Sequence, residues 1–295
     1  MREIKITDVR AVDGDSAFLI DDGKTAIMYD SGFAFTGYKV AENIKRVLGD
    51  RKLDYIFLTH SHYDHALGSV YAKRIYPNAK IVAGEYAAKI FSKPTAKTVM
   101  RDLDNKFAAK CGVFEYDDLI DELSVDIAVA DGDKINAGDM EFTAVSLPGH
   151  TKCSFGFYFA ENKLLLGSET LGVYGGDNIV LPSYLIGYKI AMNSIEKVQD
   201  MDIESILVPH YGLLSGNKAK DYLTLGKINA QETANEIADI LKHGGTQKDA
   251  FDFFKNKYYH GYIIKTYPED AMALNTEIMV KLILNELVEN SSKEQ

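Results

Sequence analysis

The chain has 295 residues, 46% of them hydrophobic and 11% aromatic, and a formal net charge of −10. That is enough apolar material for one large domain, or one domain with a small appendage. The acidic balance argues against a broad nucleic-acid surface or an electrostatically held membrane surface, because both need clustered Lys and Arg.

The opening stretch "MREIKITDVRAVDGDSAFLI" alternates like a strand and lacks the charged-then-apolar layout of a signal segment. No apolar run approaches membrane-spanning length. Cys111 and Cys153 make no disulfide framework, so a cytoplasmic protein with reduced thiols is expected.

Two alternating runs flank Asp22-Gly23, a pair suited to a tight hairpin turn. "TGYKVAENIKRVLGD" has helical spacing at Val40, Ile44 and Val47, with Gly49 as its stop. "LDYIFLTH" is a short apolar run that reads as a buried strand. "HALGSVYAKRIYP" reads as a helix stopped by Pro77, and "AKIVAGEYAAKIF" as a strand followed by a helix. Residues 93–123 are charged and mostly helical in pattern. From 124 strands return, among them a hairpin in "CSFGFYFAENKLLLGSE" with Phe155, Phe157 and Phe159 on one face and its turn near Glu161-Asn162. "YKIAMNSIEKVQDM" reads as a helix and "IESILVPH" as the last strand. Beyond 214 long amphipathic patterns take over. They suggest a catalytic domain over 1–214 and a helical extension over 215–295 packed on it, with "NSSKEQ" frayed at the end. Strand groups interleaved with helices predict a layered α/β fold with two sheets face to face.

The chemistry is concentrated in "LTHSHYDHALG". A chain with seven histidines places three of them, with an aspartate, inside six positions. At a strand end, side chains at i and i+2 point to one side, roughly 6.5 Å apart at the backbone. His60 and His62 can therefore share one ion. Asp64 and His65 follow the turn into a helix and can serve a second, although Asp64 is also a reasonable helix N-cap. One lone histidine at a strand end is usually a satisfied polar residue. Three with an aspartate, costly to bury unpaired, point to metal. His150 in "LPGHT" and His210 in "VPHYG" each follow a strand, and Glu169 in "LLLGSET" adds a carboxylate at another strand end. His243 reads as a helix C-terminal residue and His260 as a surface one.

These motifs resemble the metallo-β-lactamase superfamily of hydrolases. Residues 60–65 match its His-x-His-x-Asp-His motif in full. "MYDSG", "LPGHT", "LLLGSET" and "VPHYG" fall in the family's order over 1–214. The resemblance implies the four-layer αββα sandwich, here with a C-terminal helical extension. It implies that His60, His62 and His150 hold one divalent ion and that Asp64, His65 and His210 hold another. Glu169 would bridge the two, and Asp30 would orient a ligand histidine. The sequence departs from the family twice: Glu169 stands where the family has Asp, and Pro209 adjoins His210 without the usual intervening residue.

The implied activity is that of a dinuclear metal hydrolase using a metal-bound hydroxide on a carbonyl, with Asp64 steering the water and passing on a proton. Imidazole and carboxylate donors suit zinc, with iron or manganese as alternatives. The Tyr-rich segment 171–190 puts Tyr174, Tyr184 and Tyr188 forward as an apolar substrate lining, against an equal case that they cover the core. A small ester, thioester or lactone is therefore expected, as in glyoxalase II-like thioesterases and lactonases. Neither nucleic acid nor membrane is an expected partner, and the C-terminal helices could pack a homodimer or equally cap the monomer. Two other readings compete: a phosphodiesterase of the same fold, and a metal-bearing binding or regulatory protein with little turnover.

Overall fold

The computed structural model describes residues 1–176 and 179–289. The expectation for the terminal "NSSKEQ" falls outside the described residues. The chain divides into two compact units, one comprising Met1–Ser146 with Phe155–Gly167, the other Leu147–Ser154 with Ser168–Gln295.

The first unit opens with three antiparallel strands, β1 (Lys5–Asp8), β2 (Phe18–Asp21) and β3 (Ala26–Tyr29). The β2–β3 hairpin closes at Asp21↔Ala26, so its loop holds four residues rather than two. Asp22 fixes that loop by accepting from Lys24 N (2.9 Å) and Thr25 N (2.7 Å), and only Gly23 of the Asp-Gly pair takes a positive φ, +85°. Helix α1 (Gly37–Leu48) follows and ends on Gly49, as expected. Its buried stripe is Val40, Ala41, Ile44 and Leu48. Val47, expected on that stripe, is 37% exposed. The buried set, Gly37, Val40, Ala41, Ile44 and Leu48, centres on the Gly37–Ile44–Leu48 side of the helix, and position 47 lies at its margin, about 80° from that centre.

Strands β4 (Tyr55–Phe57), β5 (Lys80–Gly84) and β6 (Ile127–Val129) then join β3 in parallel. Between β4 and β5 the expected single helix is two, α2 (Tyr63–Ala66) and α3 (Gly68–Ile75), parted at Leu67. The cause is a close approach of the loop after β3. A Cβ on Gly68 would lie 1.9 Å from the Ser31 carbonyl oxygen, and the His65 carbonyl accepts from Ser31 N (2.7 Å) and Ser31 Oγ (2.8 Å).

Helices α4 (Glu85–Phe91) and α5 (Pro94–Lys110) precede β6. The helical expectation for 93–123 holds for α5 and for one 3₁₀ turn over Ile120–Glu122; residues 112–119 are irregular. α5 buries Asp104, whose carboxylate accepts from Tyr116 Oη (2.6 Å), Ala34 N (2.9 Å) and Phe35 N (3.3 Å). Burial pushes this carboxyl up to about 6, against the opposing pull of the Tyr116 hydrogen bond. Asp104 thus anchors the loop after β3 from outside.

Strands β7 (Lys134–Ala137), β8 (Met140–Ser146), β9 (Phe155–Phe159) and β10 (Leu164–Leu166) form an antiparallel run in chain order. Phe155, Phe157 and Phe159 are all buried, as their shared face requires. Phe57 of β4 meets Phe142 edge-on at 5.3 Å and Phe157 at 4.7 Å, so the two strand groups of this unit enclose one core. Each such ring contributes about 2 kcal/mol by burial. Near the metal motif, Phe155 N donates to Thr59 O (2.8 Å), and Tyr29 Oη donates to Gly167 O (2.7 Å).

The second unit holds two short hairpins, β11 (Val173–Tyr174) with β12 (Val180–Leu181), and β13 (Ser205–Val208) with β14 (Gly212–Ser215). The sequence predicts β13 as the last strand. β14 follows it, because Gly212 lets the chain reverse after a three-residue turn. The helices are α6 (Tyr188–Gln199), α7 (Asn217–Lys242), α8 (Gln247–Tyr258), α9 (Ile263–Thr266) and α10 (Glu269–Ile283), and α10 runs on into a π-helical segment, Leu284–Glu289. α8 starts on a capping box formed by Thr246 and Asp249. Among the described residues no helix is long and apolar enough to cross a membrane.

Candidate metal centre

In the first unit the donors gather where β3 and β4 end. Asp30 follows β3 in a left-handed backbone (φ +49°), a conformation that aspartate tolerates better than most residues. Its carboxylate is fully buried. It accepts from Thr59 N (2.8 Å), Ser16 Oγ (3.0 Å) and Thr59 Oγ1 (3.0 Å), and meets His65 Nδ1 at 2.8 Å. A carboxylate of this kind can only accept, so Nδ1 of His65 carries the ring proton and Nε2 keeps the lone pair with which an imidazole can bind a cation.

His60 ends the β4 run, fully buried, with its Nδ1 3.0 Å from Thr59 Oγ1. Its ring centroid lies 4.6 Å from that of His62 and 4.1 Å from that of His65. His60 and His62 bring ligand atoms within 4.8 Å of each other, and Asp64 and His65 do the same. Asp64 is not the N-cap of α2: His62 holds that position, and Asp64 is the second residue of the helix. An acid in that first turn is favoured by the helix dipole.

In the second unit the donors are His150, Glu169 and His210, all buried. The Glu169 carboxylate lies between the two imidazoles, with Oε2 2.9 Å from His150 Nε2 and Oε1 3.6 Å from His210 Nε2. His150 is held from behind, its Nδ1 2.8 Å from Ser183 Oγ and its backbone N–H donating to Thr170 Oγ1 (3.0 Å). Thr170 in turn donates to Leu147 O (2.7 Å). His210 sits at the apex of the β13–β14 turn in a left-handed conformation (φ +63°), and its carbonyl accepts from Tyr262 Oη (3.2 Å).

Every donor named from the sequence therefore falls in one of two constellations: His60, His62, Asp64 and His65, backed by Asp30, and His150, Glu169 and His210. Three of the histidines are gripped through Nδ1, which presents Nε2. This is how proteins orient imidazoles for a metal, and the mixed imidazole and carboxylate set fits a divalent cation. The sequence does not reveal the residues that grip them: Ser16, Thr59, Thr170 and Ser183. Only Thr59, beside His60, has a positional cue.

The tyrosines divide. Tyr174 is half-buried, edge-on to Tyr211 at 4.4 Å and to Tyr222 at 5.8 Å. Tyr211 also meets Tyr262 at 5.5 Å. Tyr184 is 1% exposed and packs against the half-buried Tyr188 at 5.5 Å, which is the core role of the two open to it. His243 and His260 are exposed; His243 caps the C-terminus of α7 with its Nδ1 2.8 Å from Asp239 O.

Among known proteins, the model of the metallo-beta-lactamase superfamily matches residues 11–210. Glyoxylase B2 of Dictyostelium discoideum is 29% identical over 145 residues, 48% of this chain and 45% of that protein. A hydroxyacylglutathione hydrolase of Bartonella tribocorum is 28% identical over 188 residues, 63% of this chain and 59% of that protein. The chain thus spans about half the length of the curated relatives it matches. A solved structure of a metallo-beta-lactamase family protein from Thermus thermophilus superposes with a TM-score of 0.61 at 15% identity, over 92% of this chain and 88% of that one. The mixed α/β fold with two sheets and C-terminal helices is the fold of that family. With its match over more than half its length, the chain belongs to the metallo-beta-lactamase superfamily.

Proposed function

We propose that this chain is a dinuclear metal-dependent hydrolase acting on the carbonyl of a small ester, thioester or lactone. His60, His62 and His150 would hold one divalent ion, and Asp64, His65 and His210 the other, with Glu169 reaching both. The observation that carries the reading is the Glu169 carboxylate, which offers a separate oxygen to each of two buried imidazoles that belong to different ligand sets. Glutamate in place of the family's aspartate adds a methylene of reach without losing the two-sided contact. Zinc suits the donor set best, with iron and manganese next.

Divalent ions bound there supply Lewis acidity, lowering the pKa of a coordinated water towards about 7 and polarising a carbonyl oxygen. The chain's own residues do the rest. Asp30 keeps the proton of His65 on Nδ1, and Ser183 fixes the ring of His150. Asp64 would accept a hydrogen bond from the attacking water and take its proton. The small-carbonyl preference is supported by the Tyr174–Tyr211–Tyr262 group, of which Tyr262 bonds the His210 carbonyl, and by the net charge of −10, which disfavours polyanions. One relative's name is that of a hydrolase of an acylated glutathione, a thioester.

A panel of aryl esters, acyl thioesters and lactones, run beside a bis-aryl phosphodiester on the metal-loaded protein, tests the proposal. Turnover of carbonyl substrates at least about a hundredfold above the phosphodiester, a gap of nearly 3 kcal/mol in the barrier, is expected. The reverse order would replace the reading with a phosphodiesterase, and no turnover of any substrate would favour a binding protein.

A further inference from the structure

We infer that Glu286, near the far end of the chain, is a positioning residue for His150. It acts by supplying the N-terminal cap that α6 lacks. The inference rests on the reading of His150 as a metal ligand.

α6 begins at Tyr188, and its N-cap residue is Gly187, which has no side chain with which to cap. The first amides of a helix are unsatisfied by the helix itself and attract an acceptor, best a negative one. Here the acceptor comes from the π-helical segment after α10. Glu286 Oε1 accepts from Tyr188 N (2.9 Å), and Oε2 accepts from Lys189 N (3.1 Å). Gly187 also leaves the carboxylate room: a Cβ there would lie 3.2 Å from Glu286 Oε1, a tight contact to which the carboxylate would have to yield slightly.

The capped end of α6 is the clamp on the ligand turn. The Gly149 carbonyl accepts from Leu185 N (2.8 Å) and Ile186 N (3.1 Å), directly before α6. Ser183, two residues further back, meets His150 Nδ1 through its hydroxyl (2.8 Å) and lies near it again through its carbonyl (3.2 Å). Within α6, Ser194 Oγ donates to Pro148 O (2.6 Å). Each residue of Pro148–His150 is thus held by α6 or the five residues before it. Glu286 fixes the starting point of that helix. π-Helical segments are rare and recur at functional sites. Glu286 lies within this one, Leu284–Glu289.

The test uses the full-length chain and reads metal binding, not turnover. Cobalt(II) dissociation constants are measured by competition with a chromophoric chelator for wild type, H150A, E286A and E286Q. Hydrogen exchange at the Leu185 and Ile186 amides and the metal-free melting temperature are followed in parallel. E286A is expected to weaken cobalt binding about tenfold, the low end for loss of a group that orients a ligand, and to speed exchange at both amides. E286Q keeps one acceptor oxygen and is expected to recover to within about threefold of wild type, as partial restoration of an orienting contact should. Should E286A not fold, E286D takes its place: its carboxylate is one methylene short of the α6 amides, and it is expected to bind more weakly than E286Q. Wild-type affinity in the Glu286 variants beside a weakened H150A, even with a lowered melting temperature, would leave Glu286 a merely structural residue and overturn the inference. Wild-type affinity in H150A would instead sink the ligand reading itself.

Discussion

Asp30→Ala is expected to be the most damaging single substitution outside the proposed metal ligands. Asp30 is the common acceptor for Ser16 Oγ, Thr59 N, Thr59 Oγ1 and His65 Nδ1, all in the interior. Alanine leaves these donors buried without an acceptor, at about 1–3 kcal/mol for each group that finds no water. Because they share one site the costs are not additive, and a loss of about 3–5 kcal/mol is expected by urea unfolding. Asp30→Asn separates folding from chemistry. Its oxygen can still serve Thr59 N and its amide can donate to Ser16. Towards His65, however, it presents N–H groups, which forces Nδ1 to accept and moves the ring proton to Nε2. The asparagine variant should therefore lose under about 2 kcal/mol of stability while binding metal about 10–100-fold more weakly. Nitrogen-15 spectra of the imidazole read the tautomer directly. Unchanged metal affinity in Asp30→Asn would show that the carboxylate does not set the state of His65.

Gly149→Ala is the second. A Cβ there would lie 2.5 Å from Thr170 Cγ2 and 2.8 Å from both Cα and Cβ of Ala191. None of these atoms is the loose end of a long side chain. Ala191 sits in α6, and Thr170 is held by Leu147. The ligand turn must yield instead, at about 1–3 kcal/mol by the usual cost of overpacking. His150 moves with it. Weaker metal binding should accompany the lost stability in Gly149→Ala. Gly216→Ala serves as the control, since its Cβ would meet nothing within 4 Å and only the positive φ of +59° is strained. Equal metal affinity in the two variants would separate the turn from the ligand.

The candidate donors are legible in the sequence because coordination chemistry is local in its signals. Imidazoles and carboxylates at strand ends are recognisable one motif at a time, and "HSHYDH" needs no partner to be seen. The groups that aim them are not legible. Ser183 is an ordinary serine 33 residues from His150 and Glu286 an ordinary surface-type acid 98 residues from Tyr188; only folding makes them neighbours. The fold class follows from apolar periodicity, and its errors are errors of detail. Counting i+3 puts Val47 on the buried face of α1, where Leu48 at i+4 holds the position. The helix after His62 reads as unbroken because nothing in "HALGSV" reveals that the Ser31 carbonyl presses on Gly68. β14 escapes notice because "GLLSG" is short, half exposed and explained only by pairing with β13.

Seven side chains are proposed to hold a pair of cations. Elemental analysis of the protein, dialysed after loading with zinc, counts them. Two equivalents per chain are predicted for wild type, falling to about one in both His60→Ala and His65→Ala, each variant losing the ion its histidine serves. One equivalent or fewer in wild type, or the same count in all three proteins, would contradict the account.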